Sequence, residues 1–506
     1  MNLLLPLLLI FTTPCIVQSL NNGLGLTPPM GYSSWNDCAS QVTEERIKNV
    51  TLHLISTGLA AKGYIHVYVD EGWLLSRNKS TGELIEDRDK FPSGMKALGN
   101  WIHNQIVPAK GKIMKYGLYT SRGTCQCSTQ QYHGPGSHGY ESKDSAWFAN
   151  VGVDYLKVDS CCGSQDHQTA FKDYSKWRDG LNSTGRDVYF SLCGWHMWYA
   201  PKGGSLGNSW RIAGDGTNWG ALSNCININS QLQKYASPGA WNDPDLLQGT
   251  GIGSNDKATN PSGCFNGDNI PQARNWYQTE LQSRAQFSMW SIMSAPLLIS
   301  ADVGQVSQFS LDTWGNVEVI NISQTFHKGG PYQGQRLVGG NLSFGKAADG
   351  SWTGSGHNVW GKKLPKDDFA LCFVSNEDIP TNITCDEECF SLLGVDTTIT
   401  YTVRDVWKSS LLDKLLKAPL TFTVNNVPRH GGVSMYRFSP IAKQQQPQQI
   451  QQETIKIMRI DSCAAIGQQC NGTYFKPLPC CDQGATCNVT GRDGYSQCFT
   501  NNNKKI

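Results

Sequence analysis

The chain has 506 residues, longer than one hydrophobic core usually supports, so two or three domains are expected. A formal net charge of +2, without a basic block interleaved with aromatic residues, excludes the usual nucleic-acid surface. Only 17% of residues are charged, while Gly (52), Trp (16) and Tyr (18) are abundant, which suits uncharged, hydroxyl-rich ligands and equally suits any large secreted enzyme.

Residues 1–19, MNLLLPLLLIFTTPCIVQS, form an apolar run too short to span a membrane, followed by small and polar residues. They read as a signal peptide cleaved near Ser19, although the segment lacks an initial Lys or Arg. No later stretch has the length of a membrane span, so a soluble, exported protein is expected, secreted or held in a lysosomal or other endomembrane lumen. Glycosylation sequons at Asn49, Asn78, Asn182, Asn321, Asn341, Asn382, Asn471 and Asn488 fit that route, as do eighteen cysteines.

Between Leu26 and about Ser300, short apolar runs alternate with turns and longer amphipathic segments. Strands are expected at 30–35, 65–70, 116–120, 154–159, 188–193, 210–215, 240–245 and 296–301, with helices such as 44–59 and 144–151 between them. That alternation predicts a (β/α)8 TIM barrel, whose active site lies at the C-terminal ends of its strands. Those ends carry Asp70 and Glu71, Asp159, Cys193 and Trp195, Asp215, and Asp243 and Asp245. One such acid is ordinarily a helix cap; so many at neighbouring strand ends point to convergence. In the fourth run, Tyr155, Lys157 and Asp159 share one face and Leu156 and Val158 the other, so a lysine and an aspartate enter one interior, either as a structural ion pair or as part of a site.

After Val303 the pattern turns to short β-rich runs at 369–374, 397–403, 420–424 and 434–438, as in an antiparallel β-sandwich domain. The Gln-rich segment QQQPQQIQQ, 444–452, cannot bury a core and reads as a linker. Beyond it, Cys463, Cys470, Cys480, Cys481, Cys487 and Cys498 suggest a knottin-like module with three bridges of undetermined connectivity, zinc being the competing use. Tyr474, Phe475 and Tyr495 there either form a sugar-binding face or support the module, so polysaccharide binding by the tail is left open. The expected domains are thus signal peptide 1–19, barrel 20–303, β domain 304–441, linker 442–460 and cysteine-rich module 461–506.

The stretches LTPPMGYSSWN at Leu26, DEGW at Asp70, YGLYTSRGTC at Tyr116, VDYLKVDSC at Val153, RIAGD at Arg211, WNDPDLL at Trp241 and SAPLLISADV at Ser294 closely resemble the α-galactosidases (melibiases) of glycoside hydrolase family 27. The resemblance spans about residues 24–440 and implies a catalytic barrel followed by an antiparallel β domain. It further implies a retaining glycosidase that removes terminal α-D-galactose, with no metal or cofactor, Asp159 as nucleophile and Asp215 as acid/base. Trp35, Asp70, Glu71, Tyr119, Lys157, Cys193, Trp195, Arg211, Asp245 and Leu246 match sugar-contacting positions, and Cys125 and Cys161 match the bridge beside the nucleophile. Of the other cysteines, Cys193 is the expected free thiol and Cys385 and Cys389 a local pair.

Three departures bear on specificity. Glu71 stands where an Asp is usual, Gly194 where many members carry an acidic or polar residue, and Leu246 where Met is common. A longer Glu71 would crowd a hydroxymethyl group and favour a β-L-arabinopyranoside; a bare Gly194 would leave room for the N-acetyl group of an α-N-acetylgalactosaminide. A non-catalytic carbohydrate-binding protein is the alternative of another class, and homodimer assembly is left open.

Overall fold

The computed structural model describes residues 22–107, 111–128, 134–216, 218–250, 264 and 278–441, with the backbone of 469–471, 485–489 and 496–500. The expected signal peptide and linker lie outside the described residues, as do the side chains of the tail. The chain divides into two compact units, 1–442 and 443–506.

Eight parallel strands form one sheet: β1 (Met30–Ser33), β2 (His66–Tyr68), β3 (Lys115–Ser121), β4 (Tyr155–Asp159), β5 (Tyr189–Cys193), β6 (Ser209–Arg211), β7 (Trp241–Asp243) and β8 (Leu297–Ile299). They are ordered β7-β6-β5-β4-β3-β2-β1-β8, each sequence neighbour a spatial neighbour from β1 to β7. Leu247, just past β7, closes the ring: its N–H donates to Leu298 O (2.8 Å) and its carbonyl accepts from the Ser300 N–H (2.9 Å). The sheet is therefore a barrel, with no open edge to protect.

Helices return the chain between strands, and their starts follow from side-chain caps. Thr43 caps α1 (Glu44–Ser56), Asp166 caps α4 (His167–Ser183), and Asn218 caps α6 (Trp219–Asn229), each accepting from a backbone N–H three residues on. Between them lie α2 (Met95–His103), α3 (Glu141–Asn150) and α5 (Ala200–Leu206). Thr279 and Gln282 form a reciprocal capping box at α7 (Glu280–Ile292).

Alternation along β4 sends Leu156 and Val158 into the core between sheet and helices, while Tyr155 joins Tyr68, Tyr119, Tyr189 and Leu298 inside the barrel. Tyr155 stacks on Tyr189 with ring centroids 5.0 Å apart. This tyrosine layer makes the lumen a packed floor rather than a pore.

Residues 304–334, expected with the β domain, instead carry two more helices, α8 (Gln308–Trp314) and α9 (Val317–Gln324), capped by Ser307 and Asn316. The β-rich part begins with β9 (Gln335–Val338), followed by β10 (His357–Lys363), β11 (Phe369–Ser375), β12 (Tyr401–Asp405), β13 (Ser410–Leu411) and β14 (Gly432–Pro440). These form a six-stranded sheet ordered β9-β10-β11-β14-β12-β13. One face buries Phe369, Phe373 and Phe438 against Phe422 of a separate two-stranded sheet; the other joins the barrel's core through Trp360, Cys372 and Met435. In the second unit, 469–471, 485–489 and 496–500 form a three-stranded antiparallel sheet.

Arg122, at the end of β3, holds the loop after β4. Fully buried, its guanidinium donates to Ser160 Oγ (3.0 Å), Asp173 Oδ2 (3.0 Å) and Ser164 O (2.5 Å). Arg122→Ala leaves Asp173 without its buried arginine and is expected to cost about 3–5 kcal/mol, measured as a lowered denaturant midpoint; a change within about 0.5 kcal/mol, the range of ordinary surface substitutions, contradicts this role.

Candidate active site

The strand ends of the barrel surround one pocket of about 510 Å³, lined by Trp35, Asn36, Asp70, Glu71, Tyr119, Cys127, Lys157, Asp159, Trp195, Arg211, Asp215, Gly216, Asp245 and Leu246. All the residues expected in the site line it except Cys193, which lies beneath, buried and paired in register with Asp159. Asn36, Cys127 and Gly216 are additions. Asn36, on the short helix Trp35–Cys38, and Gly216, on a loop, each adjoin an expected residue, whereas Cys127 is brought in by its loop.

Pairing between β3, β4 and β5 sets Tyr119 beside Lys157 and Ser121 beside Asp159, stacking the site in two levels. Lys157 Nζ donates to Asp70 Oδ2 (2.9 Å) and stands 3.9 Å from Asp159 Oδ2. The lysine's close partner is thus Asp70 on the neighbouring loop, and its hold on Asp159 is looser. Asp159 Oδ1 accepts from the Ser160 N–H (2.8 Å), leaving Oδ2 free of a hydrogen bond within the protein. Burial pushes the Asp159 carboxyl up to about 6, against the pull of Lys157 and the Ser160 amide.

Arg211 organises the opposite side. Its Nη2 lies 3.1 Å from Asp215 Oδ1 and 3.0 Å from Asp245 Oδ2 and also donates to Gly214 O (3.1 Å). The sixth strand stops at Arg211, so Asp215 meets it not along an extended strand but because the 212–214 turn doubles back around the guanidinium. Asp215 remains the open member, its side chain 58% exposed at the rim. Asp245 is buried; it accepts from the Gly216 N–H (2.6 Å) and the Leu246 N–H (2.7 Å), and burial lifts its carboxyl to about 6. Tyr119 Oη and Arg211 Nε are buried without a hydrogen bond in the protein, polar groups suited to ligand hydroxyls.

Two bridges staple the wall beside Asp159, and they correct the expected pairing. Cys125 is joined to Cys162, and Cys161 to Cys127. With cysteines at both 125 and 127 facing the adjacent pair 161 and 162, the antiparallel approach of the loops matches outer with outer and inner with inner. Cys127–Cys161 lies within 4.8 Å of the Asp159 carboxylate, and since both sulfurs are bonded to each other this group is no metal site. A second cluster, His138, Glu141 and Asp173, already faces Lys176 and Arg122. Cys38 pairs with Cys264, Cys385 with Cys389, and Cys193, Cys225 and Cys372 are free.

Two specificity expectations also change. Glu71 does not hang free toward a ligand: its oxygens accept from the Cys127 N–H (3.1 Å) and the Ser128 N–H (2.8 Å), bracing the stapled loop. Gly194 opens no space, since a Cβ there would stand 1.8 Å from Tyr199 Cε2; the tyrosine ring fills the gap.

A family model described as "Alpha galactosidase A" matches residues 27–261, and one described as "Alpha galactosidase C-terminal beta sandwich domain" matches 354–438. An α-galactosidase of Oryza sativa subsp. japonica is 32% identical over 395 residues, covering 78% of this chain and 81% of its own. The chain belongs to the α-galactosidase family, glycoside hydrolase family 27. Among solved structures of the family, the α-galactosidase from Saccharomyces cerevisiae superposes with a TM-score of 0.69 at 25% identity, covering 84% of this chain and 100% of that one. A β-L-arabinopyranosidase from Geobacillus stearothermophilus shares the fold, with a TM-score of 0.64 at 20% identity over 84% of this chain and 99% of its own.

Glu71 gives the site a measurable signature. Burial pushes its carboxyl up to about 8, far above the unfolded value near 4.3. The folded state then holds a proton that the unfolded state has lost, so this group lowers stability progressively as pH rises from about 4 to about 8. Glu71→Gln removes that slope: the melting temperature of the variant relative to wild type is expected to climb between pH 5 and pH 8, and a flat or falling difference contradicts the burial argument.

Proposed function

We propose that the protein is a retaining exo-glycosidase that hydrolyses terminal α-D-galactosyl residues of oligosaccharides, glycoproteins or glycolipids, with Asp159 as nucleophile and Asp215 as acid/base. The observation that carries this is the meeting of those two carboxyls in one pocket, one buried and hydrogen-bonded through a single oxygen, the other at the rim where a leaving group departs.

In the first step Asp159 Oδ2 attacks the anomeric carbon while Asp215 delivers its proton to the departing glycosidic oxygen, giving a galactosyl-enzyme ester and a free aglycone. In the second, Asp215, now a carboxylate, takes a proton from water, whose oxygen attacks the same carbon and releases Asp159. Each displacement inverts the centre, so the product keeps the α configuration. Asp215, at the rim, reaches both the departing glycosidic oxygen and the incoming water. Asp70 and Asp245 accept from sugar hydroxyls, Lys157, Arg211 and Tyr119 donate, Glu71 braces the loop beside them, and Trp35 and Trp195 cover the apolar C–H face.

Galactose is favoured over the related sugars because relatives above 30% identity are named α-galactosidases, whereas the arabinopyranosidase shares the fold alone. The Tyr199 ring against Gly194 disfavours an N-acetyl group, and the non-catalytic reading does not account for a free oxygen on Asp159. Among the described residues no helix is long and apolar enough to cross a membrane. The apolar first 19 residues, the sequons and the disulfides support export and N-glycosylation, and the cysteine-rich tail is read as an accessory module for polysaccharide.

The pH profile tests the nucleophile. Only ionised Asp159 attacks, so kcat/KM on an aryl α-galactoside is expected to fall tenfold per unit below about pH 6, the value set by burial in the free enzyme. Asp159→Ala is expected to lower kcat by about 10³-fold or more; near-wild-type turnover in that variant rejects the assignment.

A further inference from the structure

A hairpin in the β domain is formed by strands Ser343–Lys346 and Trp352–Ser355, and its first strand and Trp352 lie outside both spans matched by the family models. Trp352 is 54% exposed, yet its ring is not loose: it stacks on Phe344 with centroids 5.1 Å apart and planes 6° from parallel. The pair thus presents a fixed aromatic face to solvent.

The hairpin is braced. Asp378 accepts from Thr353 Oγ1 (2.9 Å) and the Gly354 N–H (2.8 Å) and pairs with His430 Nε2 (2.8 Å), while the His430 ring stands edge-on to Phe344. Its position follows from two contacts with α6. At the helix's lower end Asn227 exchanges hydrogen bonds with the Leu342 backbone, 2.8 Å each way; at its first turn Gly220 is so close that a Cβ would meet Phe344 O at 2.3 Å. From Leu342 to Phe344 the strand therefore climbs toward the N-terminus of α6. Lys346, paired in register with Trp352, continues the strand beyond that contact, at the helix end that follows the loop carrying Asp215 and Gly216. At most ~3.6 Å per residue, the segment from Gly220 back to Asp215 spans less than about 20 Å.

The geometry points to Trp352, stacked on Phe344, as a binding platform for the glycan that remains attached to the galactose, the part released as aglycone. This rests on the α-galactosidase reading. A sugar ring beyond the pocket lays its apolar C–H face on the indole, and the exposed Lys346 ammonium, 5.2 Å from the ring centroid, supplies a donor for its hydroxyls. Because stacking and bracing fix the indole beforehand, little side-chain freedom is lost on binding. The preferred substrates are then α-galactosylated oligosaccharides or polymers rather than small galactosides.

The test compares wild type, Trp352→Ala and Trp352→Phe on an aryl α-galactoside and on α-galactosylated manno-oligosaccharides, with thermal melts confirming that each variant folds. Expected for Trp352→Ala are unchanged constants on the aryl substrate and KM raised about tenfold on the oligosaccharides, with kcat within about twofold and partial recovery in Trp352→Phe. Unchanged KM on both substrates, or an equal change on both, overturns the platform and leaves the α-galactosidase reading standing. Absence of wild-type turnover on both substrates overturns that reading instead. If Trp352→Ala does not fold, the Trp352→Phe and Lys346→Ala comparisons decide by the same criterion.

Discussion

Charge balance in a buried pocket is the constraint on which this site depends. Lys157 and Arg211 face Asp70, Glu71, Asp159, Asp243 and Asp245, all of them buried. Two cations cannot neutralise five carboxylates, and the remaining charge is too costly to keep far from water. The structure shares the cations, and burial raises the proton affinity of Glu71, Asp159, Asp243 and Asp245. Lys157 bridges Asp70 and Asp159, Arg211 bridges Asp245 and Asp215, and Glu71 is lifted furthest.

That sharing separates the two halves of the pocket. On the Lys157 side, Asp159 is rigid: strand pairing fixes its backbone, the Ser160 amide holds one oxygen, and two disulfides fasten the adjoining wall. On the Arg211 side, Asp215 stands on a short turn at the rim, anchored through the guanidinium but open to solvent. A nucleophile benefits from preorganisation, while a group that exchanges protons with a leaving oxygen and then with water needs access to both.

Much of this was legible in the sequence. The eight strand runs were visible because alternation and turn residues are local signals, and the inward face of Tyr155, Lys157 and Asp159 followed from strand periodicity alone. What was not legible depends on approach between distant loops. Which of Cys161 and Cys162 meets Cys125 is settled by how two loops come together, and Glu71 could not be seen to turn toward the Cys127 and Ser128 amides. Gly194 looked like empty space because Tyr199, five residues on, gives no local sign that its ring returns to cover it. The helices at 308–324 were assigned to the β domain because the boundary was drawn at the last barrel strand, while the β-rich runs that define that domain begin only further on.

The central claim is that Asp159 carries the covalent intermediate. Incubating the protein with a 2-deoxy-2-fluoro-α-galactosyl donor bearing an activated leaving group slows the second displacement and lets the ester accumulate. Peptide mass spectrometry is then predicted to find the fluorogalactosyl group on the peptide containing Asp159, and on none in an Asp159→Ala variant. A label on Asp215, or inactivation of the enzyme without a covalent adduct, would contradict the account.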